Sequence, residues 1–278
     1  MSSAATTDGL SDDDFEELRH AAKQLFGVTI LREKRPMAEA RLRTLSRKMG
    51  GTPLGQLVRD LSRGKDHAVA SEVVDVLTTN HTYFGRERRH FDILRKDALP
   101  PILARLRNRR DLRIWCAAAA TGEEPYYLAM LLMDHLGHEY EGWRAGLLAT
   151  DISEHALTIA KAGVYSAERV KPLSPRYIKR FFEPLEDRRL RVRAKVRKEV
   201  AFRRFNLMTE RYPFREPFEV IFCRNVMIYF EKPEIEHVLS RMAGLLRPGG
   251  WFFTGMAESL DRADPRFEYL ETGVYRRR

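Results

Sequence analysis

The sequence predicts a helical front joined to an α/β body with a parallel, doubly wound sheet. Three observations carry that expectation. Apolar residues recur at helical spacing through the first stretch of about 90 residues. From residue 111, apolar runs alternate with helical stretches: LRIWCAAAA then EEPYYLAMLLMDHLG, AGLLATDIS then EHALTIAKAG, FEVIFCRNVMIYF then KPEIEHVLSRMAGLL, and finally WFFTGM. That alternation is the pattern of strand–helix–strand units on a parallel sheet. Only residues 163–205 break it. There Leu190, Val192, Ala194 and Val196 alternate with Arg191, Arg193, Lys195 and Arg197. Period 2 with one wet face predicts a strand in a small antiparallel insert.

Taken in order, residues 1–10 are an acidic, Ser/Thr-rich leader, expected to be disordered. Ser11 is placed to cap a helix whose first turn is Asp12, Asp13 and Asp14, acids that complement the helix dipole. Phe15, Leu18, Ala22, Leu25 and Phe26 form its apolar stripe, and Gly27 ends it. A second helix runs over 36–49, from Pro36 to the stop at Gly50-Gly51. Further helices fit 53–62 and 66–78. The expected organisation is a helical unit over 11–78, a seam over 79–100, and the α/β body over 101–278 with its insert at about 165–203.

The chain has 278 residues and a formal net charge of +10. Residues 188–204 carry nine Lys/Arg against one Glu. A basic balance implies an acidic partner: nucleic acid, an anionic membrane surface or a carboxylate-rich protein. No apolar run approaches the ~18 residues of a membrane span, and the start lacks a basic region followed by an apolar one. The expectation is a cytoplasmic protein with no membrane insertion. Cys116 and Cys223 sit in or beside apolar strand-like runs and read as small buried hydrophobes rather than a disulfide.

In an open parallel sheet, ligands sit beyond the carboxyl ends of the strands. The first strand ends in CAAAATGEE, where small residues permit close approach to the backbone. It is not a GxGxxG motif, so phosphate binding is poorly supported, and a plain tight turn fits too. The second strand ends in Asp151, an acid able to accept from both hydroxyls of a ribose, or alternatively to cap the next helix. Asn225 follows the third strand where it must turn, and LLRPGG leads into an aromatic strand. The order of these features is that of an S-adenosylmethionine-dependent methyltransferase.

Residues 78–91, TTNHTYFGRERRHF, then add a specific resemblance. They resemble the TTN-x-T-x-FFRE-x-x-HF signature of the chemotaxis receptor methyltransferases, the CheR type. AAAATGEEPYYLAM resembles that family's A-x-x-STGEEPYSLAM, and ATDIS, RFNLM, IFCRNVMIYF and LLRPGG follow in family order, so that the likeness covers roughly 15–278. It implies a Rossmann-like methyltransferase sheet with a small antiparallel insert behind an all-α N-terminal domain. It also implies methylation of glutamate side chains on chemoreceptor cytoplasmic coiled coils, with S-adenosyl-L-methionine as donor, S-adenosyl-L-homocysteine as product, and no metal.

Carried over by position, the resemblance makes Asn80, Thr82, Arg86, Ala118, Glu124, Asp151, Asn206, Leu207, Arg224, Asn225 and Val226 cofactor contacts. Arg86 and Tyr229 would face the reacting carboxylate. Arg41, Arg43, Arg47 and Lys48 on the second helix would dock an acidic receptor, and a receptor C-terminal peptide would sit at the β insert. Phe84 and Phe91 would anchor the seam. Arg88, Arg89 and His90 read as solvated or docking residues, and His81 as peripheral. Two departures stand out. Gly85 replaces the second Phe of FFRE, which removes an apolar anchor and loosens the backbone before Arg86. Ala120 replaces a Ser in the turn. Two other readings compete: a nucleic-acid methyltransferase, although NVMIY stands where such enzymes carry a (D/N)PPY run, and a binding module that keeps the fold without catalysis.

Overall fold

The computed structural model describes residues 9–64, 67–77 and 80–278. Most of the expected leader, and Thr78 and Thr79 of the seam motif, lie outside the described residues. The front opens with α1 (Asp12–Phe26). Ser11 and Asp14 close its N-terminus as a reciprocal capping box. Gly27 ends it at φ 71°, and a Cβ there would fall 2.5 Å from the Met208 sulfur. Glycine is therefore needed both for the left-handed turn and for the close approach of the body. α2 (Arg35–Lys48), α3 (Leu54–Arg63) and α4 (His67–Leu77) share a core with α1, built around Phe15, Leu18, Leu42, Leu57, Leu61 and Val73.

Then comes the seam. α5 (Arg88–Ile93) continues through a π-helical turn, Leu94–Ala98, into α6 (Leu99–Arg105). Pro100 and Pro101 lack the N–H groups that the Lys96 and Asp97 carbonyls would receive in a regular helix.

The body runs β1 (Asp111–Ala117), α7 (Glu123–Leu136), β2 (Arg144–Asp151) and α8 (Glu154–Ala162). Next are β3 (Val164–Tyr165), α9 (Ala167–Val170), α10 (Pro175–Phe181), β4 (Phe182–Pro184), β5 (Leu190–Val192) and α11 (Ala194–Arg197). It finishes with β6 (Val200–Arg204), β7 (Phe218–Cys223), α12 (Lys232–Leu245), β8 (Leu246–Thr254), β9 (Phe267–Glu271) and β10 (Val274–Arg277). The main sheet has the order β6-β2-β1-β7-β8-β10-β9. β6, β2, β1, β7 and β8 are mutually parallel, and β10 is antiparallel between β8 and β9. The winding reverses between β1 and β7, which places a ligand crevice at their carboxyl ends. One face, through Leu112, Ile114 and Cys116, packs against α7. The other, through Trp115, Ile221 and Phe252, packs against α12.

The expected strand over 190–197 is corrected. β5 stops at Val192, and Ala194–Arg197 is a helical turn. Val192 and Val196 are both fully buried, and one turn of helix serves that spacing as well as a strand does. β3, β5 and β4 form the small antiparallel sheet, whereas β6 leaves it and pairs parallel with β2 as the edge of the main sheet. β9 and β10 escaped the strand pattern because FEYLE and VYRR are short, polar and half-buried. Cys116 and Cys223 are buried and free, and burial pushes both thiols well above their ordinary pKa.

Candidate active site

The carboxyl ends of β1, β2, β6 and β7 meet the front in one cavity of about 1020 Å³. After β1 the backbone turns through left-handed conformations at Ala118 (φ 69°), Ala120 (φ 46°) and Gly122 (φ 94°). A Cβ on Gly122 would meet the Ala160 Cβ at 2.8 Å, so the small-residue turn answers to packing as well as to ligand approach. The turn is tied to β2. The Ala119 N–H donates to the Thr150 carbonyl at 2.8 Å, and the Ala120 N–H donates to Asp151 Oδ2 at 2.7 Å.

Asp151 is 7 % exposed. Its Oδ1 accepts from the Ser153 N–H at 2.9 Å. Capping of α8 falls to Ser153, whose hydroxyl accepts from the Ala156 N–H at 3.0 Å, so the alternative helix-cap role of Asp151 is set aside. Burial raises the Asp151 pKa, and the backbone donors oppose that only in part. A carboxylate has about four acceptor sites, so the two bonds leave capacity on the cavity side.

At the end of β7, the Arg224 side chain is 1 % exposed. Its guanidinium pairs with Glu124, donates to Glu87 Oε2 at 2.9 Å and donates to the Arg86 carbonyl at 2.7 Å. It also lies 5.2 Å from the centre of the Phe91 ring. Asn225 adopts φ 58°. Its side chain donates to Glu87 Oε1 at 3.0 Å, and its backbone N–H donates to Glu258 Oε2 at 2.7 Å. Glu258 also accepts from the Gly255 N–H at 2.5 Å and the Ile228 N–H at 3.2 Å, which fixes the 225–228 loop. Burial acts against the Glu87 carboxylate, but donation from Asn225 and Arg224 outweighs it and holds its pKa below the ordinary range. Burial raises Glu258, with four backbone N–H donors opposing.

Glu87, Glu258 and His90 are parts of the site that sequence reasoning missed. Glu87 is the acid of the seam motif and Glu258 the acid of ESL, so motif membership was their signal. His90, expected to be solvated or docking, is 1 % exposed, and its Nε2 lies 3.2 Å from the Thr272 carbonyl. Arg88 and Arg89 are exposed, and Arg89 pairs with Glu271 at 2.8 Å.

The expected site residues come together. Asn80, Thr82, Arg86, Ala118, Glu124, Asp151, Asn206, Leu207, Arg224, Asn225, Val226 and Tyr229 all line this one cavity. His81 lines it too while remaining exposed. Arg86 Nη1 donates to the His81 carbonyl at 2.9 Å. Gly85 sits at φ 75°, and a Cβ there would touch only Tyr127, at 3.9 Å. The motif anchors are buried: Phe84 packs edge-on against Tyr165 and Phe182, and Phe91 against Tyr127. Asn206 also works as a strut, its amide donating to the Leu25 carbonyl at 2.7 Å and accepting from the Met208 N–H at 2.9 Å. Outside the cavity, Arg41 donates to the Val76 and Leu77 carbonyls at 3.2 and 3.1 Å, closing the end of α4. Arg43 reaches Glu39 at 3.4 Å, whereas Arg47 and Lys48 are exposed.

Residues 80–276 match the family described as "CheR methyltransferase, SAM binding domain". The chain belongs to the CheR methyltransferase family. The chemotaxis protein methyltransferase of Escherichia coli is 36% identical over 272 residues, covering 96% of this chain and 91% of its own. Its namesake from Borreliella burgdorferi is 32% identical over 271 residues, with 96% and 95% covered. The CheR chain is thus an S-adenosylmethionine-dependent methyltransferase, and its cavity suits that cofactor. Glu124 and Asp151 line the cavity beside Arg86 and Arg224, acids that complement a sulfonium and an amino group. Phe205, Leu207, Val226 and Phe230 supply an apolar wall for a purine. Among the described residues, no His, Cys, Asp and Glu cluster is arranged to hold a metal.

Proposed function

We propose that this chain is a protein-glutamate O-methyltransferase, acting in the cytoplasm on glutamate side chains of chemoreceptor coiled coils for sensory adaptation. The observation that carries the reading is that Arg86 and Tyr229 stand on the same cavity as Asp151 and Glu124. The names of its relatives, chemotaxis protein methyltransferases, support the receptor as substrate.

Bound in the cavity, the cofactor supplies an electrophilic methyl on its sulfonium. The chain's residues do the rest. Asp151 accepts from the ribose hydroxyls, Asn206 and Leu207 flank the adenine, and Glu124, Arg224, Asn225 and Val226 hold the methionine end. Ala118 gives the backbone close approach, and Asn80 and Thr82 close the site from the front. A glutamate with a pKa near ~4.3 is already ionised at neutral pH, so it needs no general base. It needs removal of water, in-line placement and a guide for its charge. The Arg86 guanidinium and the Tyr229 hydroxyl give that guidance. Arg43, Arg47 and Lys48 offer cations to an acidic coiled coil, with Arg41 beneath them bracing α4. The small antiparallel sheet takes a receptor C-terminal peptide.

The test is a labelled-methyl assay on receptor cytoplasmic fragments, on the same fragments with methylatable Glu changed to Ala, and on duplex DNA. The expected result is label on the first substrate only, released by alkali as methanol. Base-stable label on DNA, or cofactor binding without transfer to any receptor fragment, overturns the proposal.

A further inference from the structure

At the opposite end of the same strands, part of one face of the main sheet, over β1, β2 and β6, is left open. In a doubly wound sheet, a crossover between β6 and β7 normally carries a helix that covers this face. Here the connection, residues 205–217, contains no helix. Its aromatic residues Phe205, Tyr212 and Phe214 pack around Trp115, and Phe214 also against Phe218.

The register fixes what remains uncovered. Arg113 lies opposite Gly146, and Leu148 opposite Ala201. Arg144, Gly146 and Ala201 are exposed on this face. A groove of about 1150 Å³ runs over them, walled by Phe214 and Arg215. Its floor is small and apolar, and its rim is basic. Of the acids beside it, Glu216 reaches Arg113 only at 3.8 Å, and Glu199 accepts from the Tyr140 hydroxyl at 2.9 Å. The turn before β1 adds exposed Arg107, Arg109 and Arg110. Trp143 also lines the groove, and its indole Nε1 is buried without a hydrogen-bond partner.

We infer that this open face binds an acidic amphipathic helix of a protein partner, seated where the crossover helix is missing. Strands lie ~4.8 Å apart, so β6 to β1 spans roughly the ~10 Å width of a helix. Leu148, Ala201 and Phe214 meet the apolar stripe of that helix, and Gly146 lets it come close to the sheet. Arg113, Arg144 and Arg215 pair with its acidic flanks. The chain's overall charge of +10 steers the encounter. The surface is remote from the cofactor cavity, which opens at the other end of the strands. Its occupant is therefore a tether or regulator and not the group being methylated.

The experiment uses the full chain and a fluorescent synthetic peptide of about 18 residues, or roughly 27 Å of helix. The peptide places Leu at i, i+3, i+4 and i+7 and Glu elsewhere. Companion probes are a scrambled peptide of equal composition and a short DNA duplex. Three variants are compared: Gly146→Trp, which fills the floor; Arg144→Glu with Arg215→Glu, both exposed; and Lys161→Glu with Arg241→Glu, both exposed and outside the groove. Anisotropy is expected to show the patterned peptide binding at least about tenfold more weakly to the first two variants, a loss of about 1.4 kcal/mol. The third variant should bind like the parent, and cofactor affinity should be equal throughout. Equal binding of the scrambled peptide, unchanged binding by the groove variants, or tighter, groove-dependent binding of DNA overturns the inference.

Discussion

On the sheet side of the cavity Arg224 is buried among Glu124, Glu87 and the Arg86 carbonyl, and Asp151 is clamped by two backbone donors. On the front side Asn80, Thr82 and Arg86 are only half-buried and His81 is exposed. The first wall is preorganised, with its dipoles and charges fixed before anything binds, as suits a cofactor held the same way in every cycle. The second wall carries Arg86, proposed to guide the incoming carboxylate, and it stays more accessible. The lesson is that rigidity is concentrated on the sheet side of the cavity, and accessibility on the front side.

Breaking the sheet-side wall should have the largest effect. Arg224→Met leaves Glu87 and Glu124 facing each other without a cation, and such losses cost about 3–5 kcal/mol. A large fall in melting temperature and loss of cofactor binding by calorimetry are expected. Arg224→Lys should rescue little, because a point charge does not reach three separate acceptors. A Lys variant as stable and as tight as the parent would show that the fork geometry is unimportant.

Arg86→Ala comes next and probes the other wall. Removing one transition-state donor typically costs 10²–10³ in turnover, roughly 2.7–4 kcal/mol. Single-turnover methyl transfer should fall on that scale while cofactor affinity changes about twofold or less. Parallel losses in both would assign Arg86 to the cofactor instead.

Asp151→Asn should weaken cofactor binding by about 10- to 100-fold, since bonds to a charged acceptor are worth about 1.5–3 kcal/mol. The pH dependence follows from the same residue. Its folded pKa lies above the ordinary Asp value, so the native carboxylate takes up a proton at a higher pH than an unfolded one. Protonation removes acceptor capacity. Cofactor affinity should therefore decline on acidification beginning above pH ~3.9, and the decline should be absent in Asp151→Asn. Stability runs the other way: the buried anion is a cost above its folded pKa, relieved as pH falls through it. Glu87, held low, contributes stability that is full above its unfolded pKa and is lost as pH falls through its folded one.

The smallest effect separates support from docking on α2. Arg41→Ala should cost about 1 kcal/mol of stability through the lost bonds to the end of α4. Arg47→Ala with Lys48→Ala should leave the melting curve unchanged and raise KM for receptor fragments. A destabilised double variant would place those two side chains in the fold instead.

The helical front and the strand–helix alternation were legible because each rests on local pattern, and much of the membership of the cavity because motif blocks resemble those of a known family. Asp151, Asn225 and the TGEE turn sit at strand ends that periodicity alone delimits. His90 was misjudged because its polarity suggested water, whereas its neighbours across the chain, Thr272 and Phe253, enclose it. The run 190–197 was misread because alternation at short range fits either a strand or two pieces meeting at a turn.

By itself, the sequence determined the order of strands and helices, because side-chain periodicity is a local property of the chain, and its motif blocks named residues that line the cavity through their resemblance to a family. Only the tertiary structure decided that Glu87 and Glu258 hold the Arg224–Asn225 corner from two distant segments, that β6 joins the main sheet, and that the amino ends of β1, β2 and β6 stay open on one face. Those outcomes depend on which surfaces meet once most buried polar groups must find partners, and no single stretch of sequence contains both sides of such a contact.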